Sequence, residues 1–161
     1  MAAHLHLGVP GDAPGYLGML RVERAVGAVT GACMAVARDK FRAVGGMNEQ
    51  ALKVALNDVD LCLRLTSRGW RSVWTPRAVL VHHESRTRGH DDTPHKRARF
   101  FREHAYMRAC WDRVLDTDPY YHRHLSRRAL DLRFDPGAQP IRPWATATTR
   151  ADVFMAVELP R

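Results

Sequence analysis

Four groups of residues in this chain have the types and spacing to do chemistry. The first is Asn57-Asp58-Val59-Asp60, at the head of an amphipathic run (DLCLRLTSR). A carboxylate in the first turn of a helix is stabilised as the anion by the helix dipole and the free N–H groups. Such a carboxylate can take a proton from a hydroxyl as that hydroxyl attacks. The second is His82-His83, where neutral imidazole could ligate Mn or Zn. Only one of the two is expected inward, because a strand alternates its faces. The third is Arg86 and Arg88 in a turn-rich loop, whose guanidinium forks suit a diphosphate. The fourth is a pair of glycine-bearing turns, Thr30-Gly31-Ala32 and Gly45-Gly46. Each group also has a plain structural reading: a helix cap, a packed histidine, a solvated basic loop, a helix stop.

The elements that must position these groups follow from pattern. Residues 25–37 (AVGAVTGACMAVA) read as a buried strand interrupted at Gly31, where another backbone or a ligand comes close. Residues 38–44 read as a short helix closed by Gly45-Gly46. Asn57 is expected to cap a helix over 58–68, with Leu61, Cys62 and Leu65 on one face and Gly69 as its stop. Residues 70–75 and 78–82 read as two short strands. Residues 84–95 read as a mobile loop, and 96–116 as a longer helix with Phe100, His104, Met107 and Trp111 on one face.

The bulk properties bound the answer. The chain has 161 residues and 45% hydrophobic content, enough for one core. Its 25 Lys and Arg outweigh 17 Asp and Glu, a formal +8, which favours anionic partners. The three cysteines (Cys33, Cys62, Cys110) form no CxxC pair and no even set, so a reducing compartment is expected. The N-terminal stretch lacks the apolar core of a signal peptide, and no run is long enough to cross a bilayer. A cytoplasmic protein, at most peripheral at the inner face of the membrane, is the expectation.

The blocks TGACMAVARDKFRAVGGMNE, NDVDLCLRLTSRGW and WTPRAVLVHHESRTRG, with the later DPYY, resemble family 2 glycosyltransferases in order and spacing. The likeness is greatest to bacterial enzymes that build rhamnose-containing or related surface polysaccharides, and it runs from about Gly15 to about Ser126. It implies an α/β chain: the C-terminal, acceptor-side part of a GT-A fold, a mixed sheet flanked by helices, with the N-terminal nucleotide-binding half missing. On that reading residues 1–20 are a tail, 21–126 the acceptor-side half and 127–161 an irregular extension.

The resemblance also implies roles. Asp58 becomes the catalytic base of an inverting transfer from a nucleotide-diphospho-sugar to a glycan or lipid-linked acceptor. Gly45, Gly46, Asn57 and Asp60 border the acceptor, and Gly31 lies beneath the sugar. Arg86 and Arg88 neutralise the leaving diphosphate. His82 or His83 supplies one ligand to a divalent cation, Mn or Mg. Met47 and Asn48 depart from the family's Gly-Gly-Phe-Asp-Glu segment. The family's metal-binding DxD ends an earlier strand, so neither Asp58-Val59-Asp60 nor Asp116-Thr117-Asp118 is expected to be it. Two alternatives stand beside this reading: an inactive truncated or pseudoenzyme domain that only binds a partner or self-associates, and a basic nucleic-acid-binding module. The scatter of Lys and Arg weighs against the latter.

Overall fold

A helix that turns an apolar face inward needs a second one to cover it, and two segments here meet that need. In the computed structural model, which describes residues 4–83, 93–127 and 132–137, the elements in chain order are β1 (Arg24–Val26), α1 (Arg38–Ala43), α2 (Asn57–Ser67), β2 (Ser72–Trp74) and α3 (Pro94–Asp116). Short 3-10 turns occupy Tyr16–Gly18 and Gly31–Cys33.

α2 buries most of its length: Asp60, Leu61, Cys62, Leu63, Leu65 and Thr66 are all inside. α3 turns Glu103, Met107, Trp111 and Val114 towards it, a spacing of four, four and three that keeps one face of a helix. Leu52, Leu63, Met107, Trp111 and Val114 form the core cluster, with Ala51, Leu56, Val59, Tyr106, Cys110 and Leu115 packed around it. Of the expected face on α3, Met107 and Trp111 are buried, whereas Phe100 is exposed. Thr93 caps α3, accepting the Lys96 N–H at 3.3 Å, and Pro94 follows at the first helical position, where its missing N–H costs nothing.

Of the expected mixed sheet, the described residues hold one antiparallel pair, β1 with β2, in the register Arg24↔Trp74, Ala25↔Val73 and Val26↔Ser72. The guanidinium of Arg24 lies 5.6 Å from the Trp74 ring centroid, a cation–π contact across that register. The strand expected over 25–37 stops at Val26. Beyond it the chain turns, with the Thr30 hydroxyl accepting the Ala32 N–H at 3.3 Å, and residues 30–33 are exposed. The strand expected over 78–82 is also not formed. Val79, Leu80 and Val81 belong to no strand and have 86%, 67% and 80% of their surface in solvent. A strand is defined by the neighbour that takes its N–H and C=O groups, and these apolar residues have none among the described residues.

α1 ends as expected at Gly45 and Gly46, both with positive φ (80° and 72°). A side chain at Gly46 would also meet the Phe41 ring at 3.2 Å. The three cysteines are free thiols. No helix among the described residues is long and apolar enough to cross a membrane.

Candidate functional site

The head of α2 sets the site, and the chain reaches it in an unusual way. Leu56, not Asn57, is the residue before the first helical turn, and its backbone is left-handed (φ 62°, ψ 7°). Leucine there carries a steric cost that glycine would not. Asn57 is itself helical and half-buried, and no side-chain cap closes the helix. The expected Asn57 cap is therefore corrected: Leu56 occupies the cap position, and its side chain has no polar group to offer.

The Asp58 carboxylate receives two N–H groups. Its Oδ2 accepts from Gly31, 27 residues upstream, at 2.8 Å, and its Oδ1 accepts from Val59 at 2.8 Å. The contact explains the glycine. A Cβ at position 31 would lie 3.3 Å from the Asp58 Cβ, so any larger residue presses the turn off the carboxylate. Asp58 is half-buried and the Gly31 turn is exposed, so the carboxylate sits at the surface rather than in the core.

Asp60 lies elsewhere. Two residues along a helix are about 200° apart around its axis, so the two carboxylates of Asp58-Val59-Asp60 diverge. Asp60 is 1% exposed. Its Oδ2 accepts from Arg64 Nε at 2.8 Å and its Oδ1 from the Trp111 indole N–H at 2.9 Å. Asp60, expected to border an acceptor, thus lies in the core with both oxygens bonded to the chain's own groups. The triplet is also no chelate, since its two acids face opposite sides. Arg64 continues the chain of bonds by donating to the Val44 carbonyl, directly before Gly45-Gly46.

The second triplet is likewise divided. Asp116 accepts from Arg108 at 2.8 Å on the surface, while Asp118 turns back to accept the Tyr120 N–H at 2.8 Å. Burial pushes the Asp118 carboxyl above the usual carboxylate range, opposed by that N–H and by Arg127 and Arg24. Burial in turn lowers Arg24, which Asp118 partly offsets. Gly27 makes room for this carboxyl: a Cβ there would stand 3.0 Å from it.

His82 and His83 are both exposed, directly after the exposed apolar residues 79–81. Among the described residues, no three His, Cys, Asp or Glu side chains gather as a metal site. Arg86 and Arg88 lie outside the described residues. The structure thus brings Gly31 and Asp58 together, ties Gly45-Gly46 to the same helix through Arg64, and leaves the two histidines apart on a surface strip.

Sequence reasoning gave no positioning role to four contributors. Trp111 and Arg64 hold Asp60. Buried Glu103 accepts the Ala55 N–H at 2.6 Å, bracing the segment that leads into Leu56, with Arg99 Nε 3.7 Å from its other oxygen. Asn48, one of the departures from the family pattern, bridges Tyr106 Oη at 2.9 Å and the Ala51 N–H at 3.0 Å. Burial pushes the Tyr106 phenol up, and its hydrogen bond with Cys110 adds to the shift. The helical period was the available signal for Trp111; Glu103 carried none, since a lone acid on a helix usually faces water.

No family model matches the chain, and no solved structure matches it. Three relatives do. A protein of Sinorhizobium fredii named only as uncharacterized protein y4gI is 48% identical over 132 residues, 82% of this chain. The O-antigen biosynthesis protein RfbC of Myxococcus xanthus is 38% identical over 103 residues, 64% of this chain. An N-acetylglucosaminyl-diphospho-decaprenol L-rhamnosyltransferase of Mycobacterium tuberculosis is 41% identical over 73 residues, 45% of this chain. The chain spans only 14%, 8% and 24% of the lengths of these relatives. It is therefore similar to parts of two proteins whose names belong to polysaccharide assembly and glycosyl transfer.

Proposed function

We propose that this chain forms the acceptor side of an inverting family 2 glycosyltransferase of the GT-A fold, with Asp58 as the base. The observation that carries the reading is the Asp58 carboxylate: surface-accessible, at the first turn of a helix, and aimed by the Gly31 N–H at 2.8 Å. The names of two relatives, an O-antigen biosynthesis protein and a rhamnosyltransferase, support the sugar chemistry.

On this reading an acceptor hydroxyl meets the exposed face of Asp58 beside the Gly31 turn. Asp58 takes the hydroxyl proton as the oxygen attacks the anomeric carbon of a nucleotide-diphospho-sugar. The bond to the diphosphate breaks on the opposite side, and the configuration inverts. Gly31 and Val59 N–H groups hold the carboxylate in one orientation, which lowers the reorganisation needed at that moment. Arg86 and Arg88 belong to the proposal as partners of the leaving diphosphate.

The described residues do not fit a cation site by themselves. They offer it His82 or His83 and no companion ligand, and one imidazole holds a cation weakly. The divalent cation expected for the complete enzyme therefore enters without a step assigned to it. The nucleotide-binding half is proposed to pack on the flank formed by β2 and residues 79–81, whose exposed apolar side chains are the kind of surface a partner covers. That observation also favours the second reading, a domain that binds a partner without turnover. A cytoplasmic site of action, at most peripheral to the membrane, completes the proposal.

The stereochemistry tests it. Proton NMR of the glycoside formed from a nucleotide-diphospho-sugar by the complete enzyme should show an anomeric configuration opposite to that of the donor. A retained configuration would remove Asp58 from the role of base.

A further inference from the structure

The base is only as well placed as the helix turn that carries it, and that turn is held from behind. We propose that Trp111 and Asp60 are positioning residues for Asp58, acting through the first turn of α2; the inference rests on the reading of Asp58 as the base. Four observations carry it. Asp60 is two residues from Asp58 and points the opposite way, into the core, where it is 1% exposed. Its two oxygens join α3 through the Trp111 indole N–H (2.9 Å) and its own helix through Arg64 Nε (2.8 Å). Arg64 extends the tie to the Val44 carbonyl at the end of α1. Finally, α3 departs from helical geometry at Trp111 itself (φ −128°, ψ 16°), so the bend in the helix falls at the residue that makes the donation.

The turn needs such an anchor. The chain enters α2 through left-handed Leu56, a conformation that persists only where its surroundings over-determine it. The Asp60 N–H donates to the Leu56 carbonyl at 3.0 Å, and the Asp60 side chain fixes Asp60 itself to α3. Loosening Asp60 therefore rotates the first turn, and Asp58 moves with it. The Gly31 N–H, which bonds to Asp58 Oδ2, reports that movement without any turnover.

The test is amide hydrogen exchange and the amide chemical shift of Gly31 in the full 161-residue chain. Asp58→Ala defines complete loss of the acceptor. Trp111→Phe keeps an aromatic ring but removes the N–H, and Asp60→Asn weakens both bonds. In each, Gly31 should exchange roughly tenfold faster or more, the worth of a hydrogen bond to a charged acceptor, and its shift should move towards that of Asp58→Ala. Leu63→Val, a change in the same core cluster that removes none of the network's hydrogen bonds, should leave Gly31 as in the wild type. Should Trp111→Phe and Asp60→Asn fail to fold, site-specific replacement of Trp111 by its benzothienyl isostere removes the N–H at constant shape and is read instead. A folded variant without the indole N–H whose Gly31 keeps wild-type exchange and shift would overturn the proposal. So would Leu63→Val moving Gly31 as far as Trp111→Phe. If instead Asp58→Asn retained full turnover in the complete enzyme, the base reading would fall while the Gly31 result stood.

Discussion

The two sides of this molecule are built on different terms. Where α2 meets α3, Leu63, Met107 and Trp111 are buried together, and a charged residue, Asp60, is enclosed with both oxygens bonded. On the flank of β2, Val73 and residues 79–81 are equally apolar yet stand in water. The contrast teaches that hydrophobic content alone does not make a core. A helix satisfies its own backbone and needs only a facing stripe, which α2 and α3 supply to each other. A strand leaves half its backbone groups to a neighbour, and a two-stranded pair is marginal without further strands or a covering helix.

The comparison can be broken most severely at Trp111. Trp111→Ala should lower stability by about 3–5 kcal/mol, from lost packing and an Asp60 oxygen left unpaired. Leu80→Ser on the flank should stay within about 0.5 kcal/mol. Urea denaturation of both variants checks this, and equal losses would mean that the flank is packed. An intermediate effect is expected at the joint between the two sides. Gly46→Ala forces a Cβ onto a backbone at φ 72° and towards the Phe41 ring at 3.2 Å, and should cost about 1–2 kcal/mol. A neutral outcome would show that the turn after α1 is free to rearrange.

The smallest effect concerns Asp118, whose carboxyl is held above the ordinary value of 3.8 chiefly by burial. An acid with a raised folded pKa binds its proton more tightly when folded. Its contribution is thus present at low pH and is lost as pH rises from the ordinary value through the raised one. Asp118→Asn keeps an acceptor for the Tyr120 N–H but has no such proton. Its stability relative to the wild type should therefore climb across that window and level off above it, as read from urea midpoints over a pH series. A flat difference would place Asp118 in water.

Several features were legible in the sequence for identifiable reasons. Leu61, Cys62 and Leu65 announced the buried face of α2, and Gly45-Gly46 announced the stop of α1, because both signals are local. Thr93-Pro94 is an equally local signal, a capping residue before a first-turn proline, that the reading of 84–95 as a loop missed: α3 starts two residues ahead of the expected Lys96. The strands over 25–37 and 78–82 were over-read, since composition cannot say whether a partner strand is present. Asp58 and Gly31 were each singled out, yet their 2.8 Å contact was not, because a separation of 27 residues carries no distance. The divergence of Asp58 from Asp60 follows from helical geometry once the triplet is placed on a helix. That Asp60 would be sealed by Trp111 depended on how α3 crosses α2, which only the packing decides.

The central claim is that Asp58 is the base, and the most direct measurement is turnover by Asp58→Asn in the complete enzyme. Asparagine keeps the side chain's size and a carbonyl oxygen for the Gly31 N–H but cannot accept the acceptor's proton. Turnover should fall by about a hundred- to ten-thousand-fold, while affinity for the nucleotide-diphospho-sugar, measured by calorimetry, stays as in the wild type. Wild-type turnover in Asp58→Asn would contradict the account.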